Sequence, residues 1–120
     1  MTQITALIVD DDPLVRRALS VFLGAAGIDV VGEAEDGRKA IIAARRLRPA
    51  VALVDVQMPG LDGVAATAGI IECSPETRVL AITTFGSIQA IMPMLRAGAS
   101  GYLLKDTEPE DIVAAVAARD

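Results

Sequence analysis

The sequence predicts an α/β fold in which five helices cover one doubly wound, five-stranded parallel sheet. Five short apolar runs alternate with five longer segments of helical spacing along the 120 residues. The short runs are rich in β-branched residues, as is typical of strands in a parallel sheet that is covered on both faces. We therefore expect a single domain that spans residues 1–120.

The order of the elements is strand, then helix, repeated five times. The predicted strands are Ile4–Val9, Ile28–Ala34, Val51–Val54, Arg78–Ile82 and Gly101–Leu104. The predicted helices are Pro13–Ala26, Gly37–Leu47, Val64–Glu72, Ile88–Ala97 and Pro109–Ala118. A helix between each pair of strands allows consecutive strands to run in the same direction.

Local signals mark the ends of these helices. Asp12 precedes Pro13 as a helix N-cap precedes a proline in the first helical position. Asp36 lies at an equivalent place, and Asp62 with Gly63 indicates a turn and another helix start. The expected stop signals are Gly27, Pro49 and Gly98.

The fourth helix departs from the pattern, because Pro93 lies where its middle should be. A proline inside a helix costs about 3 kcal/mol through a lost hydrogen bond and a steric clash. We therefore expect a kinked helix or one that begins late, near Pro93. The many apolar residues of this segment indicate core packing or, alternatively, a partner-binding face such as a homodimer interface.

Composition and charge exclude several classes of function. A net charge of −5 disfavours direct binding to nucleic acid or to an anionic membrane. The chain has no histidine, so zinc sites and catalytic triads built on histidine are excluded. Cys73 is the only cysteine, which excludes an internal disulfide and is typical of a reducing compartment. The sequence has no leader or membrane span, and we expect a cytoplasmic protein.

Polar residues follow four of the five predicted strands. Asp10 and Asp11 follow the first strand, Asp55 the third, Thr83 the fourth and Lys105 the fifth. All of them should project from the carboxyl edge of the sheet, where ligands bind in open α/β folds. If the strand order is 2-1-3-4-5, the first and third strands are neighbours, and the three carboxylates converge.

Converging carboxylates require a proton or a cation. Two carboxylates about 4 Å apart repel by roughly 4 kcal/mol at an effective dielectric near 20. Oxygen ligands without sulfur or imidazole favour Mg²⁺. Together with the Lys105 ammonium and the Thr83 hydroxyl, they form a site suited to a phosphoryl group, with Asp55 as the best candidate nucleophile.

Four segments resemble the response-regulator receiver domain of two-component signalling: LIVDDDPLVRR, LVDVQMPGLDG, ITTF and GASGYLLKD. The resemblance covers Ala6 to Ala118 and implies a flavodoxin-like fold with the strand order 2-1-3-4-5. It implies that Asp55 accepts the phosphoryl group from a histidine kinase. Asp11, Asp55 and the Gln57 backbone carbonyl would bind Mg²⁺, with Asp10 acting mainly through a bound water.

The same resemblance implies a switch. Thr83 would be the hydroxyl that moves towards the phosphoryl group, and Lys105 would contact that group directly. Tyr102 would be the aromatic residue whose rotamer follows the motion. The endings GYLLKD and ITTF are similar to the subfamily that precedes a LuxR-type helix-turn-helix DNA-binding domain, which is absent from this chain. A receiver domain is not an enzyme acting on external substrates, although it catalyses its own phosphorylation and dephosphorylation.

Three other functions stay open on the residues alone. A metal-dependent phosphohydrolase would usually carry its aspartyl nucleophile after the first strand, whereas Asp55 follows the third. A nucleotide-binding domain would need a GxGxxG or GxxxxGK[ST] loop after the first strand, where acids lie instead. The third alternative is a receiver-like interaction module that works without phosphorylation, with its distorted fourth helix as the binding face.

Overall fold

Five strands alternate with five helices in the computed structural model, which describes residues 3–58, 60–84, 86 and 88–118. The strands are β1 (Thr5–Val9), β2 (Asp29–Ala34), β3 (Val51–Asp55), β4 (Arg78–Thr83) and β5 (Gly101–Leu104). The helices are α1 (Pro13–Ala25), α2 (Gly37–Leu47), α3 (Gly63–Cys73), α4 (Ile88–Arg96) and α5 (Pro109–Ala117). Residues 1, 2, 119 and 120 of the predicted domain lie outside the described residues.

All five strands run parallel in the order β2-β1-β3-β4-β5, which confirms the predicted sheet. The chain reverses its winding direction at β1, which pairs with β2 on one side and β3 on the other. The register aligns the carboxyl ends of β1, β3, β4 and β5. Val9 pairs with Val54, Asp55 with Ile82, and Thr83 with Leu104. One edge of the sheet therefore collects the residues that follow these strands.

Two apolar layers enclose the sheet because successive strand residues point to opposite faces. Leu7 and Val9 of β1 pack with α2, α3 and α4, whereas Ala6 and Ile8 pack with α1 and α5. The helix residues buried in the first layer are Ala40, Ala44, Ala66, Ile70 and Met94, and those in the second are Leu19, Leu23, Ile112 and Val116.

The starts of α1, α2 and α3 are capped as the sequence predicts. The Asp12 carboxylate accepts a hydrogen bond from the Leu14 amide at 2.9 Å, and the other two caps are Asp36 on α2 and Asp62 on α3. Each such cap stabilises its helix by about 1 kcal/mol. Gly27 and Gly98 follow α1 and α4 with φ angles of 86° and 116°, a region in which a side chain would be strained.

Helix α4 is continuous from Ile88 to Arg96 with Pro93 inside it, so the alternative that it begins near Pro93 is wrong. The helix forms despite the proline because Ile91 and Met94 are buried against the core. Thr67 of α3 adds a hydrogen bond from its hydroxyl to the Met94 sulfur at 3.7 Å. Tertiary packing has overridden the local cost. Ile88 remains 76% exposed, so the helix is apolar towards solvent as well.

Replacing Pro93 by alanine should stabilise the protein. Alanine restores the N–H that the Gln89 carbonyl lacks and removes the ring clash, which outweighs the added freedom of the unfolded chain. We expect the free energy of unfolding to rise by about 1–2 kcal/mol in urea titrations. Pro109→Ala is the matched control, because Pro109 occupies the first position of α5. It should lower the free energy of unfolding by up to about 1 kcal/mol. A loss of stability in Pro93→Ala would contradict this account of α4.

Candidate functional site

The backbone of the carboxyl edge is fixed by sheet hydrogen bonds that continue past the strands. The Asp10 amide donates to the Ala34 carbonyl beyond β2 at 3.1 Å, and the Lys105 amide donates to the Thr83 carbonyl at 2.9 Å. These residues follow their strands directly, so the sheet itself sets the positions of their side chains. The parallel register thus brings together residues that are far apart in the sequence.

Two buried carboxylates share one ammonium at this edge. The Lys105 Nζ lies 2.9 Å from Asp10 Oδ2 and 3.4 Å from Asp55 Oδ2. Asp10 is fully buried, and Asp55 is 4% exposed. Buried charges are tolerated only where pairing and hydrogen bonds compensate for lost hydration. Here the Asp12 amide donates to Asp10 Oδ1 at 2.9 Å and the Gln57 amide to Asp55 Oδ1 at 3.3 Å.

The second oxygen of Asp10 has little compensation apart from the lysine. Within the described part of the chain, no donor makes a well-formed hydrogen bond to this buried Oδ2, and the Lys105 ammonium is its charged neighbour. A buried carboxylate oxygen with such a deficit favours an additional cation beside it.

Three carboxylates are placed to provide that cation site. One oxygen each from Asp10, Asp11 and Asp55 lie within 4.8 Å of one another, with Asp11 open to solvent. Among the residues that the structure describes, these three carboxylates are accompanied by the Lys105 ammonium, which leaves an excess of negative charge. Hard oxygen ligands and an open side suit a divalent cation that keeps part of its water shell. The donor set therefore fits Mg²⁺.

Burial and a neighbouring carboxylate perturb the ionisation of Asp55. Burial, and to a lesser degree the Asp10 carboxylate, raise its pKa from the usual 3.8 to about 6. Lys105 and the Gln57 amide oppose this rise. Burial lowers the pKa of Lys105, but its bonds to Asp10 and Asp55 outweigh that cost and leave the pKa raised. Lys105 thus stays charged, whereas Asp55 retains affinity for a proton.

The two residues predicted as a switch lie on one face of the sheet. Thr83 is buried at the end of β4, whereas Tyr102 on β5 is 51% exposed. Tyr102 lies beside Ala81, two residues before Thr83, so both point to the face that α4 covers. The Tyr102 side chain is therefore about half exposed, on the same face of the sheet as Thr83.

A groove separates α4 from the loop that follows Asp55. It has a volume of about 510 Å³ and is lined by Val56, Gln57, Met58, Asp62, Val64, Gln89, Ala90 and Pro93. Gln57 is exposed there and connects the groove to the acidic cluster through its hydrogen bond to Asp55. The groove therefore lies between the loop after Asp55 and α4.

Gly63 supports Asp55 in a way that the sequence analysis missed. A Cβ atom at Gly63 would overlap the backbone carbonyl oxygen of Asp55 and lie 2.8 Å from that of Val56. The Gly63 amide also donates to the Val56 carbonyl at 3.2 Å. The start of α3 therefore packs directly on the Asp55 backbone. The Asp62-Gly63 pair indicated only a helix start, because a close approach between distant segments leaves no local pattern.

The doubly wound parallel sheet with a cluster of acids at its carboxyl edge defines an α/β domain with a candidate cation site, and sequence comparison identifies its family. The pattern described as "Response regulator receiver domain" matches residues 6–117. The chain belongs to the response regulator receiver domain family, which acts in signalling.

Several curated proteins similar to this chain are named as response regulators or transcriptional regulatory proteins. The transcriptional regulatory protein YxjL of Bacillus subtilis is 40% identical over 97% of this chain and 54% of its own length. The chain spans about half the length of the curated relatives it matches.

Among described residues, none of the helices has the length and apolar character needed to cross a membrane.

Solved structures agree with the fold. The signal receiver domain of the response regulator NarL from Mycobacterium tuberculosis superposes with a TM-score of 0.91 and 36% identity, covering 97% of this chain and 94% of that one. A Burkholderia pseudomallei response regulator gives a TM-score of 0.87 at 25% identity over 95% of this chain and 66% of its own. That structure has a phosphorylated aspartic acid, a calcium ion and citrate.

Asp55→Asn should stabilise the metal-free protein in a pH-dependent way. The Asp55 pKa of about 6 exceeds its usual 3.8, so the group favours folding at low pH, and this contribution is lost as the pH rises through 6. Asparagine stays neutral. We expect the free energy of unfolding to rise by about 1–2 kcal/mol near pH 8 and by much less near pH 4.

Urea unfolding at both pH values measures this difference. Asp36→Asn is the control, because it exchanges one effective helix cap for another outside the acidic cluster. Its effect should be small and equal at both pH values. An Asp55→Asn effect that does not depend on pH would contradict the raised pKa of Asp55.

Proposed function

We propose that Asp55 accepts a phosphoryl group from a histidine kinase in a Mg²⁺-dependent reaction. The observation that carries this proposal is the Asp55 carboxylate between two further carboxylates and the Lys105 ammonium, at the open edge of the sheet. The phosphorylated aspartic acid and the metal ion in the Burkholderia pseudomallei relative support the same reading. The domain spans residues 1–120.

In the proposed reaction, an ionised Asp55 oxygen attacks the phosphorus of the donor in line. A new O–P bond forms as the bond between phosphorus and the kinase imidazole breaks, and the imidazole leaves with its electron pair. Lys105 offsets negative charge on the transferring group. Asp10, Asp11, Asp55 and the Gln57 carbonyl would hold Mg²⁺, Asp10 mainly through a water. Bound there, Mg²⁺ supplies further charge compensation.

The product is an aspartyl phosphate, an acyl phosphate that water can hydrolyse. Thr83 and Lys105 act on the same group in both directions. The domain thus promotes its own phosphorylation and dephosphorylation, and it does not turn over small external substrates. This distinguishes the proposal from a metal-dependent phosphohydrolase.

Incubation with a small phosphodonor and Mg²⁺ tests the assignment of the acceptor. Intact mass spectrometry should show the gain of one phosphoryl group in the wild type, and no gain when the metal is chelated before the phosphodonor is added. Asp55→Asn should show no gain, whereas the control Asp36→Asn should label like the wild type. A gain that persists in Asp55→Asn would refute the assignment, and turnover of a generic phosphatase substrate would favour the phosphohydrolase.

A protein that carried this domain together with an output domain would be a transcriptional regulator in the cytoplasm. The names of its relatives and the resemblance to LuxR-type receivers support a C-terminal DNA-binding domain. The net charge of −5 makes direct binding of nucleic acid by this domain itself unfavourable. Phosphorylation would act through the output surface, including a homodimer contact.

The proposed switch couples the phosphoryl group to that surface. A dianionic group on Asp55 draws the Thr83 hydroxyl towards it, which frees space beneath Tyr102. The ring can then leave its exposed position and pack inward against the face that α4 covers. The groove between Gln57 and α4 gives the helix room to follow.

Backbone NMR with a beryllofluoride phosphate mimic and Mg²⁺ tests the switch. We expect large shifts at Thr83, Thr84 and Tyr102, and small ones at Thr77 on the opposite edge of the sheet. Thr83→Ala should abolish the Tyr102 shift, whereas Thr84→Ala, at the exposed neighbouring position, should retain it. An unmoved Tyr102 in the loaded wild type would leave the phosphorylation site intact but contradict the switch.

One observation favours a second candidate function. Helix α4 carries Pro93 and an exposed Ile88, an unusual composition for a helix that must move between two defined positions. A receiver-like interaction module that is not phosphorylated could use this face for constant binding. The absence of any mass gain in the wild type with phosphodonor and Mg²⁺ would favour this module over the phosphoacceptor.

A further inference from the structure

Arg16 is a charged residue of α1 that turns towards the acidic cluster. Its side chain is only 17% exposed. The guanidinium Nη1 donates to the backbone carbonyl of Asp10 at 2.7 Å. A charged donor at this distance makes one of the stronger hydrogen bonds available to a peptide carbonyl.

Glu33 on β2 holds the other side of the guanidinium. Arg16 Nε lies 3.3 Å from Glu33 Oε1, and the Ser20 hydroxyl donates to Glu33 Oε2 at 3.1 Å. Both oxygens of the Glu33 carboxylate thus contact residues of α1. The planar Arg16 guanidinium connects Glu33 on β2 to the Asp10 carbonyl at the end of β1. A planar group bound at two points has a defined orientation.

The Asp10 contacts show what this bridge contributes. Its amide donates to the Ala34 carbonyl, its Oδ1 accepts from the Asp12 amide, and its Oδ2 forms an ion pair with Lys105. Its carbonyl belongs to the peptide that leads to Asp11, and Arg16 is the residue that binds it. Asp11 is exposed, so the orientation of this peptide determines where its carboxylate lies.

We propose that Arg16 is a positioning residue for the cation site. It fixes the Asp10–Asp11 peptide so that the Asp11 carboxylate meets those of Asp10 and Asp55. This inference rests on the proposed function, because it assumes that the acidic cluster binds Mg²⁺.

The ion pair with Glu33 explains how a positively charged residue such as Arg16 can lie beside a cation site. An unpaired guanidinium beside a metal site would repel Mg²⁺. The Glu33 carboxylate neutralises Arg16, so the pair provides a hydrogen-bond donor with little net charge. Groups that orient metal ligands without touching the metal change affinity substantially, and their removal commonly costs about 10–100-fold.

Mg²⁺ titration by calorimetry tests the role of Arg16. Arg16→Ala should weaken Mg²⁺ binding by about tenfold, whereas Arg17→Ala, at the exposed neighbouring position, should stay within about twofold of the wild type. Glu33→Gln is the second variant if Arg16→Ala does not fold, and it should also weaken binding, by several-fold. Wild-type affinity in folded Arg16→Ala, or in Glu33→Gln when Arg16→Ala does not fold, would overturn the inference.

A metal-free measurement separates this inference from the proposed function. Hydrogen exchange of the Asp12 amide, which is bound to Asp10 Oδ1, should be about tenfold faster in Arg16→Ala than in Arg17→Ala. Glu33→Gln should also speed this exchange, and therefore replaces Arg16→Ala here if the latter is unfolded. A wild-type protein that fails to bind Mg²⁺ would defeat the proposed function, and unchanged exchange at Asp12 would defeat the role of Arg16.

Discussion

The structure depends on two carboxylates, Asp10 and Asp55, held side by side at a water-poor edge of the sheet with one ammonium between them. Two carboxylates whose oxygens lie within 4.8 Å of each other disfavour the folded state unless a cation or a proton is supplied. Lys105 supplies one positive charge, yet burial and the neighbouring Asp10 carboxylate still raise the pKa of Asp55. The site is therefore poised to gain stability from whatever brings positive charge to it.

Such a site needs a rigid surround, because side chains free to move would turn outwards to water. The sheet hydrogen bonds of Asp10 and Lys105 fix the backbone, and Gly63 lets α3 pack directly on Asp55. Arg16 adds a bridge on the opposite side. The repulsion at the site is offset by packing and hydrogen bonds in elements that carry no chemistry themselves.

Helix α4 shows the opposite balance between local preference and packing. Pro93 disfavours a helix at its own position, yet Met94 and Ile91 are buried and keep the segment helical. From the sequence, the cost of the proline was clear, but not whether the core would outweigh it. A late start was a reasonable expectation that proved wrong, since burial is a tertiary quantity. This helix borders the groove next to Gln57, so the balance between Pro93 and the buried Ile91 and Met94 bears on any motion there.

The sequence by itself determined the order of strands and helices, the caps at Asp12, Asp36 and Asp62, and the row of acids after β1 and β3. These features depend on periodicity and on local chemistry, which neighbouring residues carry. Only the tertiary structure decided which groups share charges and how closely: Lys105 lies nearer to Asp10 than to Asp55, and Arg16 reaches the Asp10 carbonyl. Such contacts join residues distant in the chain, and their energies depend on burial and on distances that no local pattern encodes.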